Sequence, residues 1–566
     1  MTGPHPKFIA RARAPRVRID YPVELYGAEQ QVSLPFVVGV LADLGGQTLE
    51  VRPPLAERKL LEIDVDNFDR RMAAVAPRLA FTVPGALPGQ GELAVELRFA
   101  AIDDFAPAAV ALQVEALAAL LQVRRTHLAD ADGDGAALAR IDQQLTARLN
   151  PILHHPAFRA LEGAWRGLHY LVQNTQSSEM LKIRFMDVGK REVGRSLQQH
   201  RGIGWDQGPV FKWLYENEYG SYGGQPFGCV LADYHFDHGP ADVAWLADMA
   251  RICAAAHTPF IAGASLGLVD LAAGQARRRA LSSTLLTTPE YAAWRGLRAS
   301  DESRYIGLAL PRFLARPRWG RDGIPVEAFD FQEEIGPGQG EQAVWCNAAY
   351  AMGVGITRAF DLYGWCARIC GIESGGAIEG LPVQTVPDPE DGWPLKSPVE
   401  VVINDRQEAD LAACGLMPLV HRRDSGFAAF MGARTLHEPF IDGSTEATAN
   451  AALAARLPYL LACCRFAQHL KCLVRDRIGS FRSRGEMEAA LQGWIARFVD
   501  PDPVHSSDAS RAQMPLASAE VLVDEVEGNP GYYAARFFLR PHYQLEGLTT
   551  SMRIVSRLPA SPLATA

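Results

Sequence analysis

A chain of 566 residues, 48% hydrophobic and 21% charged, can bury sizeable cores and is long enough for about three or four domains. Its formal charge of −9 argues against nucleic acid as the main partner, because phosphate binding needs a net basic face. No apolar run reaches the roughly 18 residues of a membrane span. Lys7, Arg11, Arg13, Arg16 and Arg18 are not followed by the apolar stretch of a secretory signal, and the nine cysteines are irregularly spaced. Reduced thiols in a cytoplasmic protein without membrane insertion are the expectation.

In chain order, Val17, Ile19, Tyr21, Val23 and Leu25 alternate with Arg18, Asp20, Pro22 and Glu24. Period two predicts a strand with one buried face, and Pro22, having no N–H, restricts it to an edge. Leu34–Leu41 is nearly all apolar, which predicts a strand buried on both faces. Asp66 is placed to N-cap a helix carrying Phe68, Met72 and Val75. Leu93, Val95, Leu97 and Phe99 alternate as a strand. Asp103 or Asp104 then opens a helix with Val110, Val114, Leu117 and Leu121 on one stripe. The small, acidic run Ala129-Asp130-Ala131-Asp132-Gly133-Asp134-Gly135 has no apolar periodicity and predicts a linker.

Beyond the linker, Leu138, Ile141, Leu145 and Leu149 form a new helical stripe, which Pro151 is expected to end. Strands are predicted at Leu181–Val188, Phe227–Asp233, Pro259–Ala264, Arg304–Leu310, Val399–Ile403 and Leu416–Val420. Helices lie between them, including Cys346–Tyr363 and Leu457–Arg477, and strand-like Tyr533–Leu539 and Leu548–Val555 close the chain. Such alternation predicts a mixed α/β architecture.

Five features could carry chemistry or binding. Gly263-Ala264-Ser265-Leu266-Gly267 fits the G-x-S-x-G of a nucleophile elbow, but no partner set is evident, and a strand-end turn of small residues explains it better. Asp233, His235, Asp237 and His238 could ligate a metal, yet without a second ligand cluster a solvated loop is the expectation. His154 and His155, beside Pro156, are placed to cap helix carbonyls or complement a helix dipole. Gly336-Pro337-Gly338-Gln339-Gly340 lacks the Lys-Ser/Thr of a phosphate loop and reads as a surface loop. Arg456, Arg465, Lys471, Arg475 and Arg477 put positive charge on one long helix, read as a face that pairs with acidic neighbours. No catalytic residue, cofactor or metal is expected.

A family resemblance rests on longer runs. Asp20-Tyr21, Leu34-Pro35-Phe36-Val37-Val38-Gly39-Val40-Leu41-Ala42-Asp43-Leu44, Leu55-Ala56-Glu57-Arg58-Lys59, Asp66-Asn67-Phe68-Asp69, Ala76-Pro77-Arg78-Leu79 and Asp103-Asp104-Phe105 follow one another in the first 125 residues. They resemble the small subunit (TssB or VipA) of the type VI secretion contractile sheath. His154-His155-Pro156, Leu161-Glu162-Gly163-Ala164-Trp165-Arg166-Gly167-Leu168, Glu218-Tyr219-Gly220 and Ala254-Ala255-Ala256-His257-Thr258-Pro259-Phe260 resemble the large subunit (TssC or VipB). So do Asp301-Glu302-Ser303-Arg304-Tyr305, Trp345-Cys346-Asn347-Ala348-Ala349-Tyr350, Tyr363-Gly364-Trp365-Cys366, Glu379-Gly380-Leu381-Pro382-Val383, Ala455-Arg456-Leu457-Pro458-Tyr459 and Arg540-Pro541-His542-Tyr543-Gln544-Leu545-Glu546. Each motif is weak alone; the collinear set is specific.

The resemblance implies a small-subunit region at 1–128, a linker at 129–137 and a large-subunit region at 138–566. It implies a multi-domain, phage-tail-sheath-like protomer that polymerises with itself into a helical tube around an inner-tube protein, meets baseplate components, and contracts to drive effector delivery. The nearest alternative is the contractile sheath of another injection system; a hydrolase using Ser265 is a distant second. The resemblance also assigns terminal strands to inter-protomer sheet augmentation, here Val17, Ile19, Tyr21, Val23 and Leu25 at one end and Thr550, Met552 and Ile554 at the other. In the family, a AAA+ disassembly ATPase recognises a segment ahead of the large subunit's first shared helix. The short linker leaves that segment without a counterpart, which puts recycling by the ATPase in doubt.

Overall fold

The computed structural model describes residues 20–25, 28–49, 52–84, 91–129, 135–221, 223–269, 288–335, 342–387, 394–421, 427–439, 452–476, 484–502, 505–506, 514–525, 533–541 and 552–557. Its organising element is a nine-stranded mixed sheet. In chain order the strands include β1 (Asp20–Leu25), β2 (Ala28–Ser33), β3 (Phe36–Ala42), β4 (Leu61–Ile63), β5 (Arg78–Val83), β6 (Leu93–Arg98), β7 (Leu181–Asp187), β8 (Phe227–Phe236), β9 (Phe260–Ala264) and β10 (Ile306–Leu310). After the short pair β11 (Phe313–Leu314) and β12 (Trp345–Cys346) come β13 (Ala377–Glu379), β14 (Gln384–Pro387), β15 (Pro394–Ser397), β16 (Leu416–His421), β17 (Phe427–Phe430), β18 (Leu516–Glu525), β19 (Tyr533–Pro541) and β20 (Met552–Arg557).

The large sheet runs β13-β17-β16-β10-β9-β8-β3-β7-β4. The neighbours from β16 to β7 are parallel, and β4, β17 and β13 add antiparallel margins. Parallel strands need helical crossovers on both faces, so their residues are buried twice over. β3 shows this fully: all seven of its residues are buried. Val37 and Leu41 enter a core shared with helices Pro240–Ala256 and Leu457–Asp476. Phe36, Val38, Val40 and Ala42 enter a second core with helices Pro156–Gln173 and Ala348–Tyr363. β3 is thus the one strand of the first 128 residues that lies deep in the sheet, between β7 and β8. Gly228 of β8 makes room for it, since a Cβ there would lie 2.3 Å from the Phe36 ring.

Several local expectations shift. The helix after residue 66 is Phe68–Val75, with Asn67, not Asp66, at its N-cap position. Asn67 and Asp64 instead bond reciprocally, each backbone N–H donating to the other's side chain at 2.9 and 3.2 Å. The stripe Val110, Val114, Leu117 and Leu121 is buried, but it spans two helices, Pro107–Gln113 and Glu115–Ala129, bent by 110° at Val114. Asp104 serves the short 3₁₀ turn before them, accepting from the N–H groups of Ala100 and Ala101. Pro151 does not end its helix, which runs Gly135–Leu153; the proline sits in the last turn. Val399–Ile403 is not a strand. Val399, Val401 and Ile403 are buried in an irregular segment that touches β11 through a single bridge at Phe313. Among the described residues no single helix is long and apolar enough to cross a membrane.

One buried charge cluster bolts helix Pro156–Gln173 to the segment after β11. The Arg316 guanidinium donates to Glu162 at 2.6 and 3.3 Å and to Glu333 at 2.7 and 3.1 Å. Arg166 holds Glu162 from the other side at 2.7 Å. These arginines keep the Glu162 carboxyl below its ordinary range despite complete burial. Replacing Arg316 with methionine leaves two carboxylates buried with too few partners. The expected loss of stability is about 3–5 kcal/mol, measured by urea denaturation.

Candidate assembly site

The long helix Leu457–Asp476 is where the two ends of the chain meet. β1, β19 and β20 all pack against it, and the Tyr459 hydroxyl donates to the Leu539 carbonyl of β19 at 3.1 Å. β1 pairs antiparallel with β2, setting Tyr21 opposite Val32, Val23 opposite Gln30 and Leu25 opposite Ala28. β18, β19 and β20 form a three-stranded antiparallel sheet in that order, with Met552 opposite Leu539 and Ile554 opposite Phe537. No other strand of the described residues pairs with the far side of β1 or of β20. Val17, Ile19 and Thr550 lie outside the described residues.

Three of the charges expected on this helix, Arg465, Lys471 and Arg475, bond backbone carbonyls of the same chain, and Arg456 lies just ahead of its first turn. Arg465 is buried and donates to the carbonyls of Leu34 and, at 3.0 Å, Pro35, the two residues that lead into β3. Its guanidinium lies against the stacked rings of Phe36 and Phe360. Burial pulls it down to about 10, so it stays charged at neutral pH. Gln468 donates to the carbonyls of Phe227, which opens β8, and His257 at 2.8 and 2.9 Å. Lys471 donates to the Ala255 carbonyl at 2.8 Å and lies over the rings of Tyr215 and Tyr219. Arg475 donates to the Glu218 carbonyl at 2.9 Å. Buried carbonyls must find donors, and this rib of side chains supplies them at the starting ends of β3 and β8. Arg477 lies outside the described residues.

A second seam joins the ends of β3 and β7. The Asp187 carboxylate accepts from the N–H groups of Leu44 and Gly45 at 2.8 and 3.0 Å and pairs with Arg52 at 3.0 Å. Arg58 holds Glu192 through two bonds of 2.6 and 3.1 Å, and the Trp165 indole donates to the Leu44 carbonyl at 2.8 Å. Farther along, Arg124 grips Asp142 at 2.6 and 3.2 Å and donates to the Ala328 carbonyl at 2.8 Å. The signal for these ties is spread over partners 18 to 431 positions apart, which no local pattern reveals.

The chemistry-bearing candidates do not converge. The Ser265 hydroxyl accepts from the Gly267 N–H at 3.2 Å, and no hydrogen bond joins it to a histidine among the described residues. Asp233 and His235 belong to β8, which runs on to Phe236, instead of to a loop. Desolvation pushes Asp233 up to about 6 and His235 down to about 3. Asp237 and His238 bond to each other at 2.6 Å, and the His238 ring stacks on Tyr291. No group of three or more His, Cys, Asp and Glu among the described residues could hold a metal ion. His155 caps a helix start, not carbonyls: its Nδ1 accepts from the Ala157 N–H at 3.3 Å, with the ring stacked on Phe81. An acceptor nitrogen must be unprotonated, and burial together with Arg159 lowers the His155 pKa accordingly. His154, 3.8 Å from Glu333, is likewise lowered by burial. The 336–340 loop lies outside the described residues.

Comparison with known proteins adds the following. Residues 135–437 match the family model "EvpB/VC_A0108, tail sheath N-terminal domain", and residues 446–558 match its gpW/gp25-like domain. Residues 9–159 match the model "Type VI secretion system, VipA, VC_A0107 or Hcp2". The chain is 54% identical over 425 residues to the type VI secretion system sheath protein TssC1 of Pseudomonas aeruginosa, covering 75% of this chain and 85% of that one. It is 58% identical over 124 residues to TssB1 of the same organism, covering 22% of this chain and 72% of that one. Among solved structures, the VipA-N2/VipB contracted sheath shares 31% identity over 22% of this chain and 99% of its own, with a TM-score of 0.15. The contracted helical sheath of the anti-feeding prophage shares 8% identity over 99% and 97%, with a TM-score of 0.34.

Two variants of the long helix have defined outcomes. Arg465→Met strips donors from two buried carbonyls. Limited proteolysis should then release the N-terminal region faster, and stability should fall by about 2–4 kcal/mol. Desolvation pulls Lys471 down to about 7, whereas an unfolded lysine binds its proton below about 10.4. The unfolded chain therefore takes up this proton first as pH falls, and Lys471 makes the fold more stable as pH rises from about 7 to 10. Comparing urea midpoints of wild type and Lys471→Met across that window should show the extra pH gain only in the wild type.

Proposed function

On the premise that the chain belongs to the type VI secretion sheath family and carries the small and large subunits in one polypeptide, we propose that this structural protomer polymerises through its two terminal strands. Residues 1–128 act as the small-subunit region, 129–137 as the linker and 138–566 as the large-subunit region. Val17, Ile19, Tyr21, Val23 and Leu25 at one end, and Thr550, Met552 and Ile554 at the other, carry strands that add to sheets of neighbouring copies. The observation that supports this most is the pairing pattern: β1 and β20 each have a strand on one side only among the described residues, and both ride on one helix.

Strand addition suits a lattice that must change shape. Each main-chain hydrogen bond contributes only about 0.5–1.5 kcal/mol, but a seam of several, repeated along a head-to-tail helical polymer, is substantial. Such a seam is a strap that stays paired while the rigid bodies it links rotate. Contraction energy is then stored when the extended lattice assembles around an inner tube on a baseplate, and no residue need catalyse a reaction. The working compartment is the cytoplasm. Only five residues separate helix Glu115–Ala129 from helix Gly135–Leu153, which weighs against recycling by a AAA+ disassembly ATPase whose recognition segment would lie between them.

Deleting residues 1–26 should leave a folded protomer, by circular dichroism and size exclusion, that forms no striated hollow tubes in electron micrographs. Normal tubes from the deletion variant would overturn the proposal.

A further inference from the structure

A sheet that grows by strand addition has two edges, and growth at both would branch the lattice. The outer edge of β18 is already occupied, although no strand lies there. In an extended chain the N–H and C=O groups of residues i and i+2 point to the same side, so Ala519, Val521 and Val523 face away from β19 together. Gln492, on the neighbouring helix Arg484–Ala496, donates from its Nε2 to the Ala519 carbonyl at 3.3 Å and accepts the Val521 N–H on its Oε1 at 2.8 Å. One side-chain amide thereby reproduces the donor–acceptor pair that a residue of an adjacent strand would offer. Glu488, one turn earlier, accepts the Val523 N–H at 3.1 Å. At the other end of the strand, Leu516 exchanges backbone bonds with Phe498 at 3.0 Å and Asp500 at 2.8 Å. β20, the opposite margin of the same sheet, has no strand of the described residues beyond it.

The large sheet is guarded by a related device. Its edge strands β4 and β13 are three residues long. Arg71 donates to the Glu62 carbonyl of β4 at 3.0 Å, and Arg358 donates to the Ala377 carbonyl of β13 at 2.5 Å. Short, charged and capped edges resist pairing with other chains.

We propose that Gln492, assisted by Glu488, determines the polarity of assembly: its amide stands in for a neighbouring strand on β18, so a second copy of this chain can add to the three-stranded sheet only beyond β20. The identity of the added strand rests on the sheath reading above; the sealing of β18 does not.

The test uses the full-length chain with Gln492→Met, which keeps the side chain's bulk and removes both hydrogen bonds. Hydrogen exchange at the Val521 amide should accelerate at least about tenfold. The variant should form laterally associated or branched assemblies in micrographs, and sedimentation velocity of the disassembled protein should show self-association absent from the wild type. Gln492→Glu, which retains the acceptor but loses the donor, should fall between the two. The decisive arm is Gln492→Met combined with Ala519→Pro. Residue 519 has its N–H on the outer edge, where a proline removes the donor and blocks pairing, so the double variant should return to wild-type association. A general loss of packing would not be repaired by adding a proline. Unchanged Val521 exchange, wild-type association of Gln492→Met, or failure of the proline to reverse it would each overturn the proposal. If the wild type itself forms no tubes, the sheath reading falls, while exchange and sedimentation still judge the seal.

Discussion

The structure depends on how the buried starting ends of its parallel strands find hydrogen-bond donors. β3 enters the sheet through the apolar pair Leu34-Pro35, whose carbonyls lie away from water. Arg465 answers both, and two residues of the same helix, Gln468 and Lys471, serve the carbonyls of Phe227, His257 and Ala255. Leaving such a group unpaired costs about 1–3 kcal/mol, so the helix is fixed against the sheet by polar bonds as well as by apolar packing. That helix also carries β1, β19 and β20. The segments read as assembly elements are therefore anchored to a helix that is itself tied into the large sheet, not hung from a loop.

The same arrangement interlocks the two subunit-like regions. β3 is hydrogen-bonded on both sides by strands from the other region, and its alternate residues feed both cores. Without β3, β7 and β8 would each show a bare, apolar edge. The Asp187, Arg58 and Arg124 contacts add polar ties around that insertion. Fusion then supplies the partner strand at roughly millimolar effective concentration, which favours pairing within one chain over exchange between chains.

Side chains satisfy backbone groups along several strand margins of this fold. Gln492, Glu488, Arg71 and Arg358 all spend side-chain hydrogen bonds on backbone groups of edge strands. For a protein whose family forms sheaths, closing the margins that are not meant to pair matters as much as attraction does, since specificity needs wrong pairings disfavoured as well as right ones favoured.

Much of the fold was legible in the sequence, because burial imposes period. The apolar run at 34–41, the alternation at 93–99 and the strands at Leu181, Phe260 and Leu416 were readable from pattern alone, and the collinear motifs gave the family. What the sequence could not decide were matters set by distant neighbours. The stripe from Val110 to Leu121 looks like one helix because the period is unbroken; the 110° bend falls at Val114, whose extended backbone interrupts the helix without disturbing that period. The basic residues of the long helix look like a face for acidic neighbours because a list of charges carries no direction. Only the folded chain, by bringing Leu34 and Pro35 to Arg465 across some 430 positions, turned them inward. Local periodicity is written residue by residue, but the partner of a buried carbonyl is chosen by three-dimensional proximity.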